Sequence, residues 1–228
     1  RICTHLMIDH IQAVIFDMDG LLVDSEPVWM ICERELLARR GKEWDFEIQR
    51  RLIGMRTHDF LHGMIAGYDL KDTYEDLRAE LLDSMCALVP QKVVVRPGAP
   101  EVIALLQEHN LPCAIASSSA RVIIEAVVES QGWQDIFHVR VSGDDVEHGK
   151  PAPDVYLEAA RRLSVAPEHC LALEDSPTGA RAAVAAGMTT IAIPDPWHAH
   201  PELFDGITPY VYESLHDVAR LLEARVTP

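Results

Sequence analysis

Residues Ile11–Gly20 read IQAVIFDMDG, an apolar and partly β-branched run that stops at Asp17. A short run of this composition is typical of a parallel strand that is buried on both faces. Asp17 and Asp19 leave the carboxyl end of that strand, where parallel α/β sheets place their active sites. Two carboxylates this close repel each other unless a cation or a proton lies between them, and Mg²⁺ prefers such oxygen ligands. A polar turn or part of a calcium loop are the alternatives, although an EF-hand has no leading strand.

Similar apolar runs recur along the chain and alternate with amphipathic stretches of helical length. The predicted strands after the first are Pro112–Ser117, His138–Val141, Cys170–Leu173 and Thr189–Ile193. The predicted helices are Pro100–His109, Ala120–Gln131, Pro153–Leu163, Pro177–Ala186 and Leu215–Ala224. This alternation predicts an α/β fold with a parallel sheet that is covered by helices on both faces.

The segment 21–95 differs from the rest because its patterns are helical. The predicted helices there are Val28–Arg39, Phe46–Leu52, His58–Gly67 and Thr73–Leu88, followed by a short apolar run at Lys92–Val95. We interpret this segment as an all-helical cap subdomain inserted into an α/β core made of residues 1–20 and 96–228. A helical layer packed directly on the sheet is the alternative.

Composition limits the classes of partner. The chain has 228 residues, 48% of them hydrophobic, and a formal net charge of −16. An acidic surface repels nucleic acid and anionic membranes, so neither is expected as a partner. The five cysteines form no C-x-x-C pair, which favours free thiols in a reducing cytoplasm. We find no signal-peptide core near the first residue and expect a cytoplasmic monomer or weak homo-oligomer.

Three further motifs place polar groups at or just after predicted strands. Ser117 ends the predicted strand at 112–117 and Ser118 follows it, Lys150 lies in Gly149-Lys150-Pro151, and Glu174-Asp175 directly follows the predicted strand at 170–173. Each has a simpler interpretation by itself: a helix N-cap for a serine or Asp175, and a solvated surface residue for Lys150. In a protein of this net charge, however, any site for an anionic ligand must be built locally from cations or backbone N–H groups.

These four motifs, in this order, resemble those of the haloacid dehalogenase superfamily phosphatases with a Rossmann-like core and a helical cap. The resemblance implies that Asp17 is the nucleophile and Asp19 the general acid/base, in a reaction through an aspartyl phosphate. It implies that Ser117, Ser118 and Lys150 bind the phosphoryl group. It further implies that Asp17, Asp19 (through its carbonyl), Asp175 and Glu174 (directly or through water) hold Mg²⁺.

The resemblance also bears on the substrate. The cap turn Leu52–Arg56 resembles the family's specificity loop, in which Gly54 would allow a tight turn and Arg56 would reach a polar substrate group. The sequence is similar to 2-deoxyglucose-6-phosphate and hexitol-phosphate phosphatases, which implies that the substrate is a small phosphorylated metabolite, in particular a sugar phosphate. A β-phosphoglucomutase-like phosphomutase remains an alternative, and so does a non-catalytic binding or regulatory protein that has kept the fold.

Overall fold

A computed structural model describes residues 10–196 and 198–226 of the chain. Its main feature is a parallel sheet of five strands in the order β5-β4-β1-β6-β7. The strands are β1 (Ala13–Phe16), β4 (Cys113–Ser117), β5 (Val139–Ser142), β6 (Cys170–Glu174) and β7 (Thr189–Ala192). The predicted α/β class is therefore confirmed. Residues 1–9 of the predicted core segment, with Cys3, lie outside the described residues.

The strand β1 is the centre of the sheet because its residues are apolar on both faces. Val14 pairs with Cys113 of β4 and with Leu171 of β6, and all four residues of β1 are buried. Side chains alternate between the faces. Val14 and Phe16 pack with one group of helices, whereas Ala13 and Ile15 pack with another.

Helices cover both faces of the sheet. The first face packs against α5 (Ala99–Glu108), α6 (Arg121–Ser130) and α9 (Leu215–Val226). The second packs against α7 (Asp154–Leu163) and α8 (Pro177–Ala185). Among the described residues, none of these or the other helices is both long and apolar enough to cross a membrane.

The segment between the first two strands of the core is helical, as predicted. It contains α1 (Glu26–Ala38), α2 (Phe46–Gln49), α3 (Thr57–Tyr68) and α4 (Tyr74–Lys92). The helix α4 also packs against α6 of the core, and Arg78 on α4 forms an ion pair with Asp144 at 3.2 Å. The division into a core and a cap stays our proposal, with the helices α1–α4 as the cap.

Two local features differ from the predictions. Residues Val23–Asp24 (β2) and Val94–Val95 (β3) form an antiparallel two-stranded ribbon at the two crossings between the core and the helical segment. The helix α4 continues to Lys92 through Pro90, beyond the predicted end at Leu88. Proline inside a helix removes one hydrogen bond, but the neighbouring Val89 is fully buried and its packing favours the longer helix.

The described cysteines agree with the predicted free thiols. Cys32, Cys86, Cys113 and Cys170 are unpaired. Burial raises the pKa of Cys113 to about 12, so this thiol stays protonated and unreactive at neutral pH.

Candidate active site

The carboxyl ends of three adjacent strands bring the predicted groups together. Asp17 follows β1, Ser117 ends β4, and Glu174 ends β6, which is followed by Asp175. Because β1 lies between β4 and β6, residues far apart in the sequence meet at one edge of the sheet. Asp17, Glu174 and Asp175 are all buried there, at 6%, 0% and 8% exposure.

Lys150 supplies the positive charge of this site. Its Nζ lies 2.5 Å from Oδ1 of Asp17 and 2.6 Å from Oε1 of Glu174. The Lys150 side chain is only 5% exposed. Burial by itself would lower the pKa of Lys150, but the charges of Asp17 and Glu174 outweigh it and raise that pKa. Lys150 therefore stays a cation beside the predicted nucleophile.

Glu174 is held at both of its oxygens. Oε1 accepts from Lys150 Nζ at 2.6 Å and from the Tyr156 hydroxyl at 2.8 Å. Oε2 accepts from the backbone N–H groups of Asp175 and Ser176 at 3.0 and 3.1 Å, and from Ser176 Oγ at 3.1 Å. Burial works to raise the pKa of Glu174, yet Lys150 and these hydrogen bonds together lower it, so this carboxylate is the permanent anion of the site.

The other two carboxyl groups are affected differently by the same burial. Burial raises the pKa of Asp17 to about 8, although the charge of Lys150 opposes the effect. Burial and the charge of Glu174 raise the pKa of Asp175 well above its ordinary value. These groups repel further negative charge, so they gain from a proton or a cation placed between them.

The donor set fits a hard divalent cation. One oxygen each of Asp17, Glu174 and Asp175 lies within 4.8 Å of the others. Carboxylate oxygens are the ligands that Mg²⁺ prefers. Since both oxygens of Glu174 already accept hydrogen bonds, Asp17 and Asp175 are the carboxylates best placed to bind such an ion directly.

Asp19 is oriented by three serine hydroxyls. Ser25 Oγ donates to Oδ1 of Asp19 at 2.5 Å. The hydroxyls of Ser117 and Ser119 donate to Oδ2 at 3.1 and 2.8 Å. These hydrogen bonds hold the Asp19 carboxyl next to the carboxyl end of β4. Lys150, by contrast, contacts Asp17 and Glu174.

The comparisons with known proteins agree with this geometry. The sequence of residues 11–187, well over half of the chain, matches the family described as haloacid dehalogenase-like hydrolase. This chain belongs to the haloacid dehalogenase-like hydrolases. It is therefore an enzyme of the hydrolase class, as its four motifs predicted.

Relatives of this haloacid dehalogenase-like hydrolase have phosphatase names. Hexitol phosphatase B of Escherichia coli (strain K12) is 35% identical over 192 residues, which cover 82% of this chain and 85% of that protein. The bifunctional riboflavin kinase/FMN phosphatase of Arabidopsis thaliana is 35% identical over 184 residues, or 80% of this chain. The match spans only 48% of the length of the Arabidopsis protein.

A solved structure resembles the hydrolase over nearly its whole length. The crystal structure of CbbY from Rhodobacter sphaeroides in complex with phosphate has a TM-score of 0.84 and 28% sequence identity. The similarity covers 93% of this chain and 99% of that one. The helical segment thus belongs to the shared architecture, together with the sheet.

The remaining predicted residues of the hydrolase lie where the helical segment meets the core. The carbonyl of Ser118 accepts from the N–H of Thr57 at 3.3 Å. Gly54 has a φ of +74°, which is the turn conformation that the sequence predicted for it. Arg56 contacts Asp59 at 2.6 Å and donates to the carbonyl of Glu147 at 2.8 Å. A substrate contact by Ser118, Gly54 or Arg56 stays a prediction.

Sequence reasoning missed three residues around the site of the hydrolase. They are Ser119, Tyr156 and Arg96. The three successive serines that begin with the last residue of β4 could have indicated Ser119, since alternate residues of an extended segment share a side. Arg96 donates from Nε to the carbonyl of Gly20 at 2.8 Å and forms an ion pair with the buried Asp195. Arg96 directly follows β3, so these contacts connect the end of the helical segment to the loop that carries Asp17 and Asp19.

Proposed function

We propose that this protein is a Mg²⁺-dependent phosphatase that hydrolyses small phosphomonoesters, in particular sugar phosphates, through an aspartyl-phosphate intermediate. One observation carries the proposal: the carboxylate of Asp17 lies 2.5 Å from a buried lysine, at the edge of the sheet where Asp175 and Asp19 also lie. A buried carboxylate beside a fixed cation is suited to attack a phosphorylated anion, because the cation offsets their repulsion.

The first step is nucleophilic substitution at phosphorus. A carboxylate oxygen of Asp17 forms a bond to phosphorus while the bond to the ester oxygen of the substrate breaks. Asp19 gives its proton to that departing oxygen, so the alcohol leaves neutral. The Asp19 carboxyl is held for this task by the hydroxyls of Ser25, Ser117 and Ser119.

The second step returns the enzyme to its starting state. Asp19, now a carboxylate, takes a proton from a water molecule that attacks phosphorus. The bond between phosphorus and Asp17 breaks, and inorganic phosphate and a free Asp17 carboxylate remain. Throughout both steps Lys150 and the backbone after Ser117 stabilise charge on the phosphoryl oxygens.

Mg²⁺ would be held by the carboxylates of Asp17 and Asp175 and by the backbone carbonyl of Asp19, with Glu174 in contact through water. When bound, it supplies positive charge that lets an anionic substrate approach the Asp17 carboxylate. The raised pKa values of Asp17 and Asp175 support this assignment, since they indicate that Lys150 alone does not offset burial and the negative charge of the neighbouring carboxylates.

The preference for sugar phosphates rests on similarity to the Escherichia coli hexitol phosphatase B. The helical segment contacts the core just after β4: the N–H of Thr57 donates to the carbonyl of Ser118 at 3.3 Å, and its Oγ1 accepts from Ala120 N at 2.9 Å. We expect the turn with Gly54 and Arg56 to contribute to the choice of substrate, and a closed cap to exclude bulk water.

The test is phosphate release from a panel of hexose, hexitol, glycerol and nucleotide monophosphates, with Mg²⁺ and with EDTA. The proteins compared are wild type, Asp17→Asn and the control Asp205→Asn, which changes an exposed aspartate. We expect metal-dependent release by wild type and the control, strongest with hexose or hexitol phosphates, and none by Asp17→Asn. Substantial release by Asp17→Asn would remove Asp17 from the nucleophile role.

The alternatives have distinct outcomes in the same panel. Conversion of one hexose phosphate isomer into another without net phosphate release would identify a phosphomutase. Binding of the esters with neither release nor conversion would identify a non-catalytic binding protein. Activity that EDTA does not change would contradict the role given to Mg²⁺.

A further inference from the structure

Tyr156 is a buried tyrosine that the proposed reaction does not use. It lies on α7 and is fully buried. Its hydroxyl donates to Oε1 of Glu174 at 2.8 Å, and that same oxygen accepts from Lys150 Nζ at 2.6 Å. The Lys150 Nζ also lies 5.0 Å from the centroid of the Tyr156 ring. The side chain therefore contacts both members of the ion pair beside Asp17.

The hydroxyl is a fixed donor at this position. Burial raises the pKa of Tyr156 well above its ordinary value, so the phenol keeps its proton. Oε2 of Glu174 meanwhile accepts from the N–H groups of Asp175 and Ser176, the two residues that precede α8. These bonds fix the orientation of the Glu174 carboxylate. Its other oxygen, Oε1, accepts hydrogen bonds from both Tyr156 and Lys150.

Sharing matters because Lys150 has to serve two carboxylates. Its ammonium group donates to Asp17 Oδ1 at 2.5 Å as well as to Glu174. The Tyr156 hydroxyl is a second donor to Oε1. It stabilises part of the negative charge of Glu174 and thereby weakens the attraction between Glu174 and the Lys150 ammonium. The lysine then remains within reach of Asp17 and of a phosphoryl group attached there.

We propose that Tyr156 is a positioning residue that acts through Glu174 to keep the Lys150 ammonium beside Asp17. The role rests on the proposed function, because it deepens the part that Lys150 plays in phosphoryl transfer. The aromatic ring alone would fill the space, whereas the hydroxyl is needed for the electrostatic effect. Replacement by phenylalanine separates the two contributions.

The kinetic test compares Tyr156→Phe with wild type and with Tyr68→Phe. Tyr68 is a matched control, since it is also buried and its hydroxyl also makes hydrogen bonds, at 3.0 Å from Asp45 N and 3.2 Å to Asp45 O. We expect Tyr156→Phe to lower kcat about tenfold with little change in KM, because the transition state needs the cation more than the bound ester does. We expect Tyr68→Phe to leave kcat unchanged. An unchanged kcat in Tyr156→Phe overturns the proposal.

A double-mutant cycle tests whether the effect passes through Glu174. The variants are Tyr156→Phe, Glu174→Gln and their combination, each measured with Mg²⁺ in excess. We expect the combined loss of kcat to be clearly smaller than the product of the single losses, since both changes disturb one contact. Fully independent effects would show that Tyr156 acts by another route and would overturn the proposal.

A crystal structure of Tyr156→Phe decides the point without any turnover. We expect Lys150 Nζ to move out of hydrogen-bond distance of Asp17 Oδ1 and towards Glu174. Retention of both carboxylate contacts would overturn the positioning role even in an active enzyme. A wild-type protein that releases phosphate from no ester would instead contradict the proposed function, so the two failures are distinct.

Discussion

Gly179 lies directly against the carboxylate of Glu174: a Cβ at residue 179 would stand 1.7 Å from Oε1 and 2.4 Å from Oε2. Gly179 is in the first turn of α8, and its N–H donates to Oγ of Ser176 at 3.0 Å. The absence of a side chain there lets the first turn of α8 approach the buried anion. Since Glu174 in turn holds Lys150, the contact between Gly179 and Glu174 helps determine where the Lys150 ammonium lies.

We expect Gly179→Ala to lower both stability and activity. The added methyl must displace Glu174, and overpacking of this kind costs about 1–3 kcal/mol of unfolding free energy. The displaced carboxylate would also move Lys150, so kcat should fall in the folded fraction as well. Urea unfolding and initial rates measure the two effects. Val184→Ala, a change at a half-exposed residue of the same helix, should alter neither quantity. Full activity in a folded Gly179→Ala protein would contradict the importance of this contact.

We expect Lys150→Met to reduce kcat by roughly a hundredfold or more, in the range seen when one electrostatic contact to a transition state is removed. The change also leaves Asp17 and Glu174 without their cation, which should lower the unfolding free energy by about 3 kcal/mol in EDTA. Mg²⁺ should restore part of that stability because it binds the native state. Lys92→Met is the control. A Lys150→Met protein with wild-type rates would remove this lysine from the mechanism.

We expect Ser119→Ala to lower kcat about tenfold, which corresponds to about 1.4 kcal/mol of transition-state stabilisation. The reason is that the 2.8 Å hydrogen bond from Ser119 Oγ is one of three that orient the Asp19 carboxyl. In an Asp19→Asn background the same change should cost little, since the group that it orients is already lost. Ser130→Ala removes a hydroxyl that donates to the backbone of α6 at 2.9 Å and serves as the control. Equal losses in both backgrounds would exclude a role through Asp19.

A pH dependence of stability should arise from Glu33 on α1. Burial raises the pKa of Glu33 to about 7, although the 3.0 Å hydrogen bond from Trp44 Nε1 acts in the opposite direction. The folded protein therefore holds this proton more tightly than the unfolded chain, where the pKa is near 4.5. By linkage, the contribution is present at low pH and is lost as the pH rises from about 4.5 to about 7.

The measurement is the unfolding free energy from urea titrations across this pH range, for wild type and Glu33→Gln. We expect wild type to lose stability relative to Glu33→Gln as the pH rises, because the amide carries no charge to bury. The fluorescence of Trp44, whose indole donates to Glu33, should change over the same range in wild type alone. A constant difference between the two proteins from pH 4.5 to 7 would show that Glu33 does not titrate there.

Much of the architecture follows from local patterns. The run at residues 11–16 is short and apolar, as is typical of a buried strand, and its repetition in alternation with amphipathic helices predicts a parallel sheet. The position of Asp17 at the carboxyl end of a strand follows from the pattern, and the resemblance of the four motifs to the family implied that Ser117 and Asp175 would join it in one site. The structure brings them together there, and Lys150 with them.

Other features depend on contacts that no local pattern records. The strands β2 and β3 have two residues each, which is too few to show the alternation of apolar and polar residues that indicates a strand. Tyr156 occupies an ordinary buried position of an amphipathic helix, and only the packing of α7 places its hydroxyl at Glu174. From the sequence, Gly179 is only a residue of low helix propensity, and the structure is needed to show that it lies against the Glu174 carboxylate.

The sequence by itself therefore determined the fold class, which follows from hydrophobic periodicity, and its four motifs implied the set of charged groups at the sheet edge through their resemblance to the family. Only the tertiary structure decided how those groups share their hydrogen bonds: Glu174 holds Lys150, three hydroxyls hold Asp19, and Arg56 contacts Asp59 and Glu147. The physical reason is that a buried polar group must find its partners within hydrogen-bond distance, and those partners come from elements that meet only when the chain has folded.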